Sequence, residues 1–514
     1  MFNFFLKKVK QNLSENVISL KLFILTKEVV VIGSGFAGLS AATHLAAAGL
    51  NVTVLEKNDT LGGRARSFTS ENGFTFDMGP SWYWMPEVFE QYFERFGRKV
   101  SDFYTLKRLD PSYTVTFPDS DVLEVPAKMS ELEAMFEKYE PGSGLQLRKF
   151  LAEAKYKYDV GINEFVQKPS HSVFEFFDLR ILQSAIRLDM FNSMANVVRK
   201  RFKNKKLIEL LEFPGLFLGA TPQKTPALYS LMNYADMSLG TWYPMGGMYE
   251  IVKAMVQVAK DNGVKFFENQ EVFKIETEKN IAKRIITSDK IYEADIVVAA
   301  ADYHHIDRNV LPIGESNYSK KYWDKRVMAP SSLLFYLGVS KKLINLKHHN
   351  LYFDEDFAVH AKEIYEKPSK PSKPLFYVSV PSITDNSVAP ADCENIFLLM
   401  PIAPDLPLME NDYDYYYDVM MTRLEKHTNQ NIRDFVIYKR AYAYADFIKD
   451  YHAFKGNAYG LANTLLQTAF LKPKLKHKTI KNLWFAGQLT TPGPGVPPSI
   501  ISGQVVAKDI LFSC

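Results

Sequence analysis

A short βαβ unit at residues 28–66 constrains this chain more than any other stretch. Glu28-Val29-Val30-Val31-Ile32 is a β-branched run, which suits a strand buried on both faces. It leads directly into Gly33-Ser34-Gly35-Phe36-Ala37-Gly38 and then an alanine-rich helical stretch from Leu39 to Ala48. A second strand, Val52-Thr53-Val54-Leu55, ends on Glu56, 18 residues past the last glycine. G-x-G-x-x-G between a strand and a helix, with an acid at the tip of the next strand, is an arrangement that grips a dinucleotide. Gly33 permits the tight turn, Gly35 lets the backbone approach a pyrophosphate, and Gly38 lets helix and strand pack closely. The helix N-terminus offers free N–H groups and the positive end of its dipole to the phosphates. Glu56 can accept hydrogen bonds from a ribose 2′-OH, and its charge disfavours a 2′-phosphate. A glycine-rich turn in an ordinary α/β protein would need neither the acid nor its spacing.

The motif continues as Leu61-Gly62-Gly63-Arg64-Ala65-Arg66. Two glycines and an arginine directly after the acid-tipped strand resemble the flavin amine oxidase and desaturase superfamily, where this segment passes over the dinucleotide phosphates. NAD-binding domains do not usually carry it, so the resemblance implies FAD. A second strong signal lies near the C-terminus. Asn482 to Gln488 reads as a strand ending in glycine, and Leu489 to Pro498 as a rigid loop. Ser499 to Ala507 then starts a helix whose N-terminus can face the electron-rich end of a flavin.

Between these signals the chain changes character. Gly73 to Trp84 alternates as a strand and then breaks at Gly79-Pro80, leaving Trp82, Tyr83 and Trp84 as core packing or as a wall against a flat apolar substrate. Tyr113 to Val125 reads as strands, and the stretch to Leu239 is mostly helical. Phe174 to Asn196 has helical periodicity and runs into six cations within residues 199–206, either a solvated face or a site for anionic lipid head groups. Leu210 to Gly219 is apolar enough to line an entrance. Further expectations are a helix at Tyr249 to Asp261 and strands at 264–267, 272–276, 296–300, 331–339 and 395–400. The tyrosines at 413–417 begin another helix, and Lys367 to Pro374 is too proline-rich for regular structure. His304-His305 and His348-His349 read as structural rather than as metal ligands, because neighbouring histidines in a strand point to opposite faces. No metal is expected.

Composition narrows the class. A net charge of +4 from 62 basic and 58 acidic residues is too balanced to suggest a nucleic-acid binder. Two cysteines, Cys393 and Cys514, make no disulfide framework and fit a reducing cytoplasmic compartment. No apolar run reaches the roughly 18–20 residues that cross a bilayer. Ile18 to Leu25 is short, is interrupted by Lys21 and lacks a small-residue cleavage site, so residues 1–26 read as an extension rather than a signal peptide.

Gly33 to Arg64, Gly79-Pro80-Ser81, Trp242 to Gly247, Gly456 to Thr464 and Pro492 to Gly503 together closely resemble bacterial-type phytoene desaturases, from about residue 27 to the end. The resemblance implies an α/β fold: a Rossmann-like FAD-binding domain with an inserted α+β substrate domain of mixed sheet plus helices. The FAD domain would comprise residues 27–106, 240–312 and 456–514, and the substrate domain 107–239 and 313–455. It also implies FAD contacts from Gly33, Ser34, Gly35, Ala37, Gly38, Glu56, Lys57, Gly62, Gly63, Arg64, Gly79, Pro80, Ser81, Val272, Gly487, Gln488 and Val496. At 488 many relatives carry an acid; a glutamine amide can still bond a ribityl hydroxyl. No catalytic base is apparent. Asp77 is a candidate by its place in the motif, with bracing of the loop through backbone hydrogen bonds as its alternative role. The implied activity is FAD-dependent carotenoid desaturation of 15-cis-phytoene toward lycopene, with oxygen or a quinone as electron acceptor and peripheral contact with the inner face of the cell membrane. A later-pathway desaturase, ketolase or isomerase on the same scaffold, and a non-catalytic flavin-containing carotenoid carrier, remain alternatives.

Overall fold

The computed structural model describes residues 27–172, 192–217 and 219–513. Its centre is a five-stranded, wholly parallel sheet in the order Leu483–Phe485, Ile296–Ala299, Glu28–Ile32, Asn51–Leu55, Lys265–Phe267. The strand Glu28–Ile32 shows why its sequence is apolar from Val29 onward. Val29 and Val31 enter one hydrophobic core, and Val30 and Ile32 enter another on the opposite face. Ile296 and Val298 alternate with Val297 and Ala299 in the same way. Period-two side chains covered on both faces leave no position for a polar residue.

The helix Phe36–Ala47 follows the first strand and packs on the C-terminal helix Val496–Ser513. Small residues set that contact. A Cβ on Gly503 would lie 2.2 Å from the Ala37 carbonyl oxygen, and Ser40 Oγ donates to the Ile500 carbonyl at 2.7 Å. The C-terminal helix starts at Val496, three residues earlier than its sequence suggests. Pro497 and Pro498 occupy its first turn, where a missing N–H costs nothing. Phe36–Ala47 likewise begins three residues before Leu39.

A seven-stranded mixed sheet forms the second layer, in the order Val436–Tyr442, Ser331–Val339, Glu394–Ile402, Phe376–Ser379, His349–Tyr352, Tyr113–Phe117, Asp121–Val125. One face of it (Leu333, Phe335 and Leu337, with Ile396, Leu398 and Met400) packs on Tyr416, Met420 and Leu424 of the helix Glu410–Thr428. The other face presents Leu334, Tyr377, Phe397 and Leu399 to the main core. The two large sheets draw on interleaved pieces of chain.

The N-terminal extension, the helical expectation for Phe174 to residue 191 and Cys514 lie outside the described residues. The basic run beyond them is largely paired: Arg199 with Glu212, Arg201 with Glu153, Lys205 with Glu209, and Lys206 with Asp121. No helix among the described residues is long and apolar enough to cross a membrane. His304 and His305 sit in a helical segment rather than a strand. All four paired histidines pack on rings: His304 on Phe454, His305 on His452, His348 on Tyr243 and His349 on Trp82.

Candidate functional site

A cavity of about 810 Å³ runs along the C-terminal edge of the parallel sheet and onto the inner face of the mixed sheet. Every residue expected to touch FAD borders it except Gly38. Gly38 instead lies beneath the first turn, where a Cβ would stand 2.0 Å from the Gly33 carbonyl oxygen. Its role is the close packing of helix on strand. Gly33 has φ +99°, and an added Cβ at Gly35 would meet nothing within 4 Å. The backbone is therefore open to a ligand at Gly35, beside the N-terminus of Phe36–Ala47, which no side chain caps. Gly63 stacks over that opening, with its own missing Cβ 3.2 Å from Gly35 Cα.

Glu56 is buried, and its carboxylate accepts from Ser34 N at 3.0 Å, Ser34 Oγ at 2.6 Å, Asn58 N at 3.0 Å and Asn58 Nδ2 at 2.9 Å. The acid thus ties the tip of the second strand to the glycine turn and remains at the cavity wall. Lys57 donates to the Lys449 carbonyl at 2.6 Å. Around this end lie residues from distant parts of the chain that carry no local motif. His305 stacks on His452 with ring centroids 3.8 Å apart, and His452 Nε2 contacts Glu271 Oε1 at 2.6 Å. Burial first, and then His452, hold His305 down at about 3, so it is neutral at physiological pH.

Farther along, Arg64 lies with its guanidinium 5.0 Å from the Tyr451 ring, and its buried Nε has no hydrogen-bond partner. Arg66 is anchored by Asp450 at 2.7 Å. Asp302 borders the cavity and accepts from His305 N and Phe454 N; burial raises its carboxyl to about 6. Gln488 Nε2 donates to Asn457 Oδ1 at 3.2 Å, and a Cβ on Gly460 would meet the Gln488 carbonyl at 2.9 Å. The 456–464 motif and the C-terminal glycine loop, separate in sequence, are therefore one structure. Val496, Pro497, Pro498 and Ser499 bring the C-terminal helix to the cavity. Thr491 Oγ1, also at the cavity wall, is buried and unpartnered. The glycine cradle, the uncapped N-terminus of Phe36–Ala47, the first turn of the C-terminal helix and orphaned Arg64 and Thr491 atoms are what an extended, phosphate-bearing, hydrogen-bonding cofactor such as FAD would complete.

The other half of the cavity is apolar. Trp82, Trp84, Phe165, Leu231, Phe397 and Leu399 are among its walls. Tyr83 is not; it is fully buried and stacks on Phe89 at 4.2 Å. The two tryptophans are held from behind by one carboxylate. Trp84 Nε1 donates to Thr241 Oγ1 at 2.8 Å, Thr241 Oγ1 to Asp236 Oδ1 at 3.3 Å, and Tyr113, edge-on to Trp82, donates to Asp236 Oδ2 at 2.6 Å. Burial raises Asp236 to about 7. Trp82 also stacks on His349, whose Nδ1 is 2.6 Å from the Tyr377 hydroxyl. The acids, amines and imidazoles that border the cavity (Glu56, Lys57, Arg64, Glu271, Asp302, His305, Asp450 and His452) all belong to its nucleotide end.

Asp77 stands outside this cavity. Its Oδ2 accepts from Met248 N at 2.7 Å and its Oδ1 from Tyr249 N at 3.1 Å, which caps the helix Tyr249–Asp261. Burial raises it to about 7 against those bonds. The geometry is that of a brace and corrects its candidacy as a base. Among the described residues no group of three or more His, Cys, Asp or Glu side chains could hold a metal ion.

The model of the family "flavin containing amine oxidoreductase" matches residues 36–511. The chain is 38% identical over 487 residues to the carotenoid 3,4-desaturase of Haloarcula japonica, covering 94% of this chain and 98% of that protein. It is 32% identical over 495 residues to the 4,4'-diapophytoene desaturase of Staphylococcus haemolyticus, with the same shares covered. Among solved structures, an oxidoreductase from Methanosarcina mazei is similar with a TM-score of 0.61 at 18% identity, covering 94% of this chain and 100% of that one. A putrescine oxidase variant has a TM-score of 0.60 at 13% identity, covering 95% and 99%. At such identities the two structures speak for the fold alone.

Proposed function

The chain belongs to the flavin-containing amine oxidoreductase family, with FAD as its cofactor, and on that premise we propose that it is a carotenoid desaturase taking 15-cis-phytoene stepwise toward lycopene. The observation that carries the reading is the divided cavity, a dinucleotide cradle that opens onto an aromatic chamber whose walls hold no charged side chain. A hydrocarbon polyene offers nothing to a charge and much to a tryptophan face. Bound FAD supplies a hydride acceptor for an allylic C–H, while the neighbouring carbon gives up a proton and conjugation extends by one double bond. This chain's residues hold the polyene flat and keep water out: Trp82 and Trp84 as braced walls, Phe397 and Leu399 as the sheet floor.

The substrate and a quinone acceptor both dissolve in lipid, which supports peripheral attachment at the inner face of the cell membrane; oxygen would serve as acceptor without it. Leu466, 78% exposed, and Leu471, 40% exposed, flank Thr468 and Phe470 at the cavity wall and suit such contact. Expression in a phytoene-accumulating bacterial host tests the reading. Lycopene or a neurosporene intermediate is expected; unchanged phytoene beside a yellow, FAD-loaded protein would sink it. A second reading, desaturation of a carotenoid later in the pathway, draws on the 38% identity to a carotenoid 3,4-desaturase. Product formation in a lycopene-accumulating host, with none from phytoene, would favour it.

A further inference from the structure

Lys472 is a buried cation that the reaction above does not use. Its side chain is almost wholly enclosed, and its Nζ donates to Asn463 Oδ1 at 2.8 Å. Among the described residues no carboxylate offsets its burial, which pushes the ammonium down to about 7. Enclosing an ammonium against a single neutral acceptor is costly, and chains avoid it unless another group repays the cost. The surroundings show where that group lies. A Cβ on Gly493 would come within 3.1 Å of Lys472 Nζ and 3.3 Å of Asn463 Oδ1, so the ammonium presses against the backbone of the 492–495 loop. Pro492, Pro494 and Gly495 of that loop, and Asn463 itself, border the cavity. The same loop runs into the C-terminal helix, whose N-terminus opens at the cavity. An ammonium and a positive helix end thus converge on one stretch of wall at the flavin end. The apolar chamber has no use for either. A flavin that has received a hydride carries negative charge on its pyrimidine side, and nearby cations tune its electronics.

We propose that Lys472 supplies, from behind the Pro492–Gly495 loop, a positive charge that stabilises the reduced form of the bound flavin. It acts through the loop and Asn463 as a positioning residue, without touching the polyene. The inference rests on FAD occupying this cavity and not on which carotenoid is desaturated.

The test uses FAD-loaded protein without substrate. The two-electron midpoint potential is measured for wild type, Lys472→Met and Lys472→Arg by titration against reference dyes. Lys472→Met should shift the equilibrium toward oxidised flavin by at least about tenfold, which is about 30 mV lower for a two-electron couple, and Lys472→Arg should stay near wild type. A Lys472→Met protein with full FAD content and an unchanged potential would overturn the proposal. If that variant does not fold, the photoreduced wild type decides. The absorption spectrum of an anionic reduced flavin at neutral pH is expected, and that of a neutral reduced flavin would overturn the assignment. Neither readout needs a polyene, so failure here leaves the desaturase reading standing, and failure of pigment formation leaves this one standing.

Discussion

At the nucleotide end of the cavity, binding depends on atoms that are missing; at the apolar end it depends on bulk. Gly35 and Gly487 leave room for a cofactor to lie against backbone, Gly33 and Gly63 let the surrounding backbone close up, and the polar groups there come from main-chain N–H and a few charged side chains. The apolar chamber is closed by Trp82, Trp84, Phe397 and Leu399, and the carboxylate that props its tryptophans stands behind the walls. The first kind of site tolerates no added carbon. The second tolerates exchange among bulky groups but not their removal. The difference follows from what each end must hold, a rigid polar dinucleotide in one case and a long hydrocarbon in the other.

Substitutions can break that contrast. The largest effect is expected of Gly38→Ala. Its Cβ would overlap the Gly33 carbonyl oxygen at 2.0 Å, with the Ala300 Cβ 3.2 Å away, so the glycine turn must open. Overpacking of this kind costs roughly 1–3 kcal/mol or more, and the flavin-to-protein ratio of purified material should fall at least about tenfold. Normal flavin content would mean that the first turn is more pliable than its geometry implies. Next comes Trp82→Ala, which should leave flavin content intact and reduce turnover at least about tenfold, because the half-buried indole is a wall that holds the polyene in place. Loss of flavin instead would show that the two ends are not separable.

The smallest effect sharpens the picture of the wall's support. Burial raises Asp236 from 3.8 to about 7, so the folded protein keeps a proton that the unfolded chain releases. That contribution is complete below pH about 4 and is lost as pH rises toward 7. Asp236→Asn removes the slope. Thermal melts from pH 4.5 to 8 should show wild type losing ground to the variant, by about 2–4 °C per kcal/mol. Parallel melting curves would show that Asp236 ionises as freely in the fold as outside it.

Much of the nucleotide end was legible because its physics is local. A β-branched run, three glycines at fixed spacing, a small-residue helix and an acid at the next strand tip each satisfy a requirement within a few residues. Gly38 was readable as a packing glycine for that reason, although it does not border the cavity. The wall tryptophans were readable as apolar surface, but Tyr83, between them in sequence, faces a different core. Period-two alternation sets it opposite its neighbours, but which side faces the cavity is decided only by what packs there.

The amino-acid sequence by itself determined that the chain builds a dinucleotide cradle on a parallel strand–helix–strand unit and closes it with a glycine–proline loop near its end. Only the tertiary structure decided that Asp77 braces a helix, that Asp236 props both tryptophans, that His305 and His452 stack, and that Lys472 lies buried behind Gly493. Those partners are far apart along the chain, and the free energy of a buried charge or ring depends on neighbours that only the folded arrangement brings together.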